Sequence, residues 1–156
     1  YGLILENEIQ HNVTMANLEG VSSKGVINQG QEFAVASEYK KKINIRCPSV
    51  FQLVGNLSGG NQQKVVLSKW LFAGPEVLIL DEPTRGIDVG AKADVFRMMV
   101  ELSNRGIAVV FSTSDLKEIM AVSDRILVMS GGKLTADIAR DRAEESALVT
   151  ASAQGF

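Results

Sequence analysis

Two acidic residues directly follow an apolar stretch of the sequence. Asp81 and Glu82 come after residues 77–80, a run of four aliphatic residues that predicts a buried strand. The carboxyl end of such a strand is where open α/β sheets bind ligands. One carboxylate there can hold Mg²⁺ while the next polarises an attacking water, and phosphoryl transfer requires both roles. A solvated acidic turn is the simpler interpretation of the same residues.

A serine and two glycines stand at the predicted start of a helix in residues 57–64. Ser58, Gly59 and Gly60 can present a hydroxyl and backbone N–H groups at the positive end of the helix dipole, which attracts anions. An ordinary serine cap followed by flexible glycines would have the same sequence. The acidic strand that follows closely in the chain favours the anion site.

These segments resemble the motifs of ABC ATPases. Residues 57–64 resemble the ABC signature, residues 80–84 the Walker B strand and residues 86–88 the D-loop, in the family's order and spacing. The sequences of residues 61–64 and 84–92 are similar to those in the second of two fused cassettes in importers of simple sugars. We therefore expect the C-terminal part of such a cassette, in a protein that is an ATPase at full length.

The resemblance implies a role for each motif residue. Asp81 would be the Mg²⁺-associated carboxylate and Glu82 the general base. Paired cassettes sandwich ATP head to tail, so the signature would face nucleotide on the partner cassette, and Asp88 would reach across the interface. The residues expected to contact nucleotide are Leu57, Ser58, Gly59, Gly60, Asn61, Gln62 and Asp88.

Two departures from the family pattern bear on catalysis. The sequence has no Gly-x-x-x-x-Gly-Lys-Ser/Thr loop to wrap phosphate, and its one Gly-Lys pair, Gly132-Lys133, is followed by Leu134. Ser114 stands at the switch position, where most cassettes carry a histidine, and a serine cannot supply an imidazole. We expect the chain to be inactive by itself and Ser114 to mark a degenerate catalytic site.

The elements that must position these motifs alternate between strands and helices from residue 55 onward. Buried strands separated by amphipathic helices predict an α/β core with parallel pairing, here the C-terminal part of a P-loop NTPase core with a small helical subdomain. We assign residues 1–56 to the helical subdomain and residues 57–156 to the core. Periodicity and helix-stop signals predict helices at about 12–18, 31–45, 60–72, 90–104, 115–122 and 142–153, and strands at about 77–80, 107–112, 125–129 and 133–138.

Composition excludes several other classes of protein. The 156 residues carry 16 Lys+Arg against 18 Asp+Glu, a net charge of -2 that gives nucleic-acid binding little electrostatic support. Cys47, the single cysteine, cannot form an internal disulfide. No apolar run approaches the ~20 residues needed to cross a bilayer.

The resemblance also implies cofactors, partners and a location. We expect ATP and Mg²⁺, the first cassette of the same polypeptide, permease subunits and, indirectly, a sugar-binding protein, at the cytoplasmic face of the bacterial inner membrane. The sequence opens as if it had been cut from a longer polypeptide, so we expect the chain to be a fragment. Sheet surface exposed in such a fragment should make it self-associate. Two alternatives stay open: a nucleic-acid-directed ABC ATPase, and a non-catalytic cassette kept as a dimerisation module.

Overall fold

The computed structural model describes residues 2–153, which form two compact units. The first unit runs to Val110 and the second begins at Phe111. The elements before the break are α1 Ile9–Thr14, β1 Ser22–Ser23, β2 Val26–Ile27, α2 Gln29–Lys42, α3 Gly59–Phe72, β3 Val77–Asp81 and α4 Val89–Asn104. β4, Ala108–Ser112, spans it, and α5 Leu116–Val122, β5 Arg125–Ser130, β6 Lys133–Ala139 and α6 Glu145–Ala153 follow. Among the described residues no helix is long and apolar enough to span a membrane.

Helices α1, α2 and α3 build the core of the first unit. Ile9 and Val13 on α1 are fully buried, as is Val65 on α3. A buried polar bond joins the first two helices, because the Thr14 hydroxyl donates to Glu32 Oε1 over 2.7 Å. Apolar burial supplies most of the stabilisation here, and the paired polar groups avoid the cost of burial without a partner.

Polar side chains fix where several helices begin. Asn28 accepts from Gln31 N at the start of α2, and Asp88 accepts from Ala91 N at the start of α4. At the start of α5 the N-cap is Asp115, not Ser114, and Asp115 accepts from Lys117 N over 2.9 Å. A carboxylate also complements the positive helix end better than a hydroxyl does.

Between residues 2 and 153 the strands form three two-stranded sheets. β3 pairs with β4, the two strands predicted on either side of a helix. β5 and β6 form an antiparallel hairpin, with Arg125 opposite Ala139 and Ser130 opposite Lys133, and the turn between them is Gly131-Gly132, both at positive φ. The short β1–β2 hairpin was not predicted, although its turn residues Lys24 and Gly25, at φ 52° and 79°, suit a type I′ turn.

Strand β3 departs from the expectation of a wholly buried strand. Leu78 and Leu80 are buried, while Val77 and Ile79 are 55% and 75% exposed. Successive side chains on a strand point to opposite faces, so one complete face of β3 is uncovered by the described residues. The α/β class itself is confirmed, whereas the predicted boundary at residue 56 stays a prediction.

Candidate functional site

The signature serine opens α3 without serving as an ordinary cap. Ser58 is the N-cap residue, in extended conformation, but its side chain accepts no backbone N–H. Its Oγ instead accepts from Asn61 Nδ2 over 2.9 Å, and Asn61 Oδ1 accepts from Arg46 N over 2.8 Å. The Ser58 hydroxyl therefore does not cap the first turn of α3. The N–H groups of that turn point toward the N-terminal end of the helix, where Ser58 lies.

The Gln62 side chain holds the segment that leads into the helix. Its Nε2 donates to Val54 O over 3.3 Å and to Leu57 O over 3.2 Å. The Leu57 side chain is buried. Asn61 and Gln62, both expected to contact nucleotide, thus have side-chain bonds to their own chain that shape the loop around Ser58.

The signature glycines pack against the segment that resembles the D-loop. A Cβ at Gly60 would lie 2.6 Å from Ala91 Cβ and 4.0 Å from Asp88 Oδ2. One at Gly59 would meet only Gly86 O and Ile87 Cγ2, each at 3.8 Å. The structure therefore brings Ser58–Gly60 and Asp88, two predicted parts of the site, next to each other.

A nearly buried ion pair locks α3 to α4. Lys64 Nζ lies 2.8 Å from Asp94 Oδ2 and donates to Asn44 O over 3.1 Å. Lys64 is only 4% exposed. The hydrogen bond from Lys64, aided by its charge and by nearby arginines, lowers the pKa of Asp94 although partial burial opposes the shift. The resemblance to the ABC signature gave Lys64 no role. The sequence signal that could have indicated its ion pair was a lysine on a helix face that otherwise packs.

The two candidate catalytic carboxylates sit at the end of β3. Asp81 is the last residue of the strand and is exposed, and Glu82 is half-buried. Glu82 has φ 45°, a left-handed conformation that is uncommon outside glycine and recurs at functional sites. The next residues, Pro83 and Thr84, are buried and anchor the turn.

Metal binding by protein groups alone has no support between residues 2 and 153. No three His, Cys, Asp or Glu side chains there are grouped so that they could hold an ion. Asp81 would have to share an ion with ligands from elsewhere. Mg²⁺ commonly binds in this way, through one or two carboxylates together with substrate phosphates and water.

Ser114 lies in the second unit, between β4 and α5, and is exposed. Its neighbour Thr113 organises the segment: the Thr113 hydroxyl donates to Glu118 Oε2 over 2.8 Å and accepts from Asp115 N over 3.1 Å. Glu118 is buried. The switch-position segment is therefore an ordered turn leading into a helix.

Comparison with known proteins adds a family match. A family model described as ABC transporter matches residues 3–85. The chain is 46% identical to an L-arabinose transport ATP-binding protein of Geobacillus stearothermophilus over 95% of its length and 29% of the relative's. It is 46% identical to a xylose import ATP-binding protein of Geobacillus kaustophilus, covering 99% of this chain and 31% of that protein. A ribose import ATP-binding protein of Bacillus licheniformis is 44% identical, with the same two coverages.

Solved structures share the fold at low sequence identity. An ABC transporter of metal-chelate type in an inward-facing conformation matches with a TM-score of 0.81 at 18% identity, over 94% of this chain and 57% of that one. The ATP-binding cassette MJ0796, as a dimer with ADP and phosphate, matches with a TM-score of 0.75 at 21% identity, over 88% and 59%. The predicted cassette fold is therefore confirmed. The chain spans less than a third of the length of the three curated relatives.

Proposed function

Because this chain belongs to the ABC transporter family, we propose that it forms part of the ATP-hydrolysing subunit of an importer of simple sugars. The observation that carries the proposal is the signature segment, in which Ser58 and the first turn of α3 offer hydrogen-bond donors beside Asp88. The names of relatives at 44–46% identity, which transport arabinose, xylose and ribose, support the sugar class.

The chain contributes residues to two nucleotide sites in this proposal. The Ser58 hydroxyl and the N–H groups of Gly59 and Gly60 bind the terminal phosphate of ATP held by the first cassette of the same polypeptide. The positive end of the helix dipole suits that anion. Asp88 acts at the junction of the two cassettes.

At the second site Asp81 and Glu82 serve nucleotide on this chain's own cassette. ATP supplies the phosphoanhydride bond, and the exposed carboxylate of Asp81 suits Mg²⁺. Glu82 accepts a proton from the attacking water. Ser114, at the switch position, supplies no imidazole, so we propose that this second site turns over slowly. The isolated chain, which has no Gly-x-x-x-x-Gly-Lys-Ser/Thr loop, would not hydrolyse ATP.

Residues 1–56, as the helical subdomain, dock the permease subunits. This contact lies at the cytoplasmic face of the bacterial inner membrane. The sugar-binding protein acts only through the permease. The support is an exposed aromatic pair. Phe33 and Phe51 stack at 5.4 Å between ring centroids and are 44% and 53% exposed, with half-exposed Leu53 near by in sequence. Exposed apolar groups of this kind mark interaction sites.

The test compares Gly59→Asp with Glu82→Gln in the complete importer, with expression and assembly checked for both. Gly59 is exposed and has room for a side chain, so an aspartate there introduces charge without a clash. Gly59→Ala is the matched control for bulk. We expect Gly59→Asp to lower ATP turnover by about 10²–10³, the range for losing a preorganised donor. Glu82→Gln should lower it by less than about tenfold, because a base contributes little where its companions are absent.

Sugar uptake and phosphate release are the two readouts. If Glu82→Gln abolishes turnover while Gly59→Asp is tolerated, the working site is on this cassette and the assignment is wrong. If neither variant changes turnover, the chain is a non-catalytic dimerisation module.

A further inference from the structure

The amide of Asn61 has one orientation that satisfies both of its neighbours. Arg46 N can only donate, and it lies 2.8 Å from the oxygen Oδ1 of Asn61. The nitrogen Nδ2 must therefore face Ser58 Oγ, 2.9 Å away. Since an amide nitrogen can only donate, Ser58 Oγ is the acceptor in that bond.

This arrangement determines what the Ser58 hydroxyl can do. Its oxygen receives the Asn61 proton and takes no backbone N–H from the helix. The single hydroxyl proton cannot point back along the same contact, so it must be directed at a different acceptor. We propose that Asn61 is a positioning residue that fixes the Ser58 hydroxyl as a donor to a phosphate oxygen, and that it does not itself contact nucleotide. The inference rests on the proposed function, because it assumes that Ser58 meets phosphate.

The anchor for Asn61 is itself held in place. Arg46 lies two residues after Asn44, whose carbonyl accepts from Lys64 Nζ over 3.1 Å, and Lys64 is paired with Asp94. Residues 44–46 thus bond to α3 at Asn61 and again at Lys64, one turn later. A donor aimed in advance by a supported second residue costs little reorganisation when the ligand binds.

The chemistry requires a neutral amide at this position. An aspartate in place of Asn61 could still accept from Arg46 N, but its second oxygen would also be an acceptor. Ser58 would then donate to that carboxylate instead of donating to phosphate, so Asn61→Asp reverses the direction of the bond while nearly keeping its shape.

The experiment is a double-mutant cycle in the complete importer, measuring kcat for ATP with assembly checked. Ser58→Ala should lower kcat by about 10²-fold. Asn61→Ala alone should lower it about 3- to 10-fold, as expected for one hydrogen bond that orients a donor. In the Ser58→Ala background, Asn61→Ala should have an effect below about twofold, because residues that act through one another are not additive. Asn104→Ala, at the exposed end of α4, is the matched control and should leave kcat unchanged.

Equal losses from Asn61→Ala in both backgrounds would show a merely structural or direct role and overturn the inference, while the proposed function stands. No effect of Ser58→Ala would overturn the inference and the proposed function together. If the alanine variant folds poorly, Asn61→Asp and Asn61→Gln are compared instead. A larger loss of kcat in Asn61→Asp than in Asn61→Gln supports the inference, and full activity of Asn61→Asp overturns it.

Discussion

The two glycines of the signature segment have different surroundings. Gly60 is buried where α3 meets α4, and the missing side chain is what lets Ala91 approach. Gly59 is exposed and open. Only Gly60 is therefore needed for packing, and a glycine at position 59 must be explained by the ligand or by the loop.

We expect Gly60→Ala to destabilise the chain by about 1–3 kcal/mol, the usual cost of overpacking, since its Cβ would lie 2.6 Å from Ala91 Cβ. Gly59→Ala is the control and should be neutral or slightly stabilising, because alanine favours helix. Urea unfolding of both variants measures the difference. Equal stability of the two would mean that α3 and α4 separate easily enough to accept a methyl group.

The individual contacts of Asn61 and Gln62 were beyond sequence reasoning. The motif comparison placed both among nucleotide-contacting residues, and that stays a prediction. The structure adds that their side chains bond to Arg46 N, Val54 O and Leu57 O. Main-chain atoms carry no sequence signal, so a bond to one of them cannot be inferred from residue types. The residue types of Ser58, Asp81 and Glu82 could be interpreted from sequence, because a hydroxyl or a carboxylate by itself indicates which ligands the side chain can bind.

Helix α3 is the element that connects the predicted site to its support. Ser58 is its N-cap, Asn61 lies in its first turn, and Lys64 lies in the next turn and bonds to Asn44 O and Asp94. One helix thus joins the loop after α2 to α4. Disturbing the Lys64–Asp94 pair should loosen the signature segment as well as the helix contact.

Acid should remove the stabilisation that the Lys64–Asp94 contact supplies. The pKa of Asp94 is lowered in the folded chain, so its stabilisation is complete above the unfolded value of about 3.9 and is lost as the pH falls through the folded value. Asp94→Asn should lower the free energy of unfolding at pH 7 by about 1.5–3 kcal/mol, the range for a charged hydrogen bond, and the gap to the unmodified chain should close in acid.

Urea unfolding between neutral pH and pH 3 measures this gap. The control is Asp137→Asn, which removes an exposed pair with Arg125 that is closer, at 2.5 Å, and exposed pairs add little. If Asp137→Asn costs as much as Asp94→Asn, burial of Lys64 does not strengthen the α3–α4 pair.

Elements with strong periodicity were predicted well, and those set by distant contacts were not. Helix α4 and strands β5 and β6 lie close to their predicted bounds, with local stop signals at their ends. Helix α1 was predicted at residues 12–18 but spans Ile9–Thr14. Its start is set by Ile9 N and Gln10 N, which donate to Gln52 O and Val50 O far along the chain. Such tertiary bonds override the local pattern.

At the scale of the whole chain, one face of β3 exposes apolar side chains to solvent. Val77 and Ile79 project from one side of the strand, and Val110 on the paired strand β4 is 54% exposed. The curated relatives are about three times as long as this chain, by the 29–31% coverage. Contiguous apolar surface of this kind seldom stays open to water.

In isolation the same face should drive self-association. Sedimentation of residues 1–156 at rising concentration should show dimers or larger species, since β-branched side chains on an open sheet pair readily with a second copy. Ile79→Lys, at a position 75% exposed, should shift the chain toward monomer without destabilising it. Val26→Lys is the matched control, because Val26 is 71% exposed but lies on the separate β1–β2 hairpin, so it should leave association unchanged. A monomer at every concentration would contradict the prediction, and equal relief by both lysines would show that association depends on net charge and not on the face of β3.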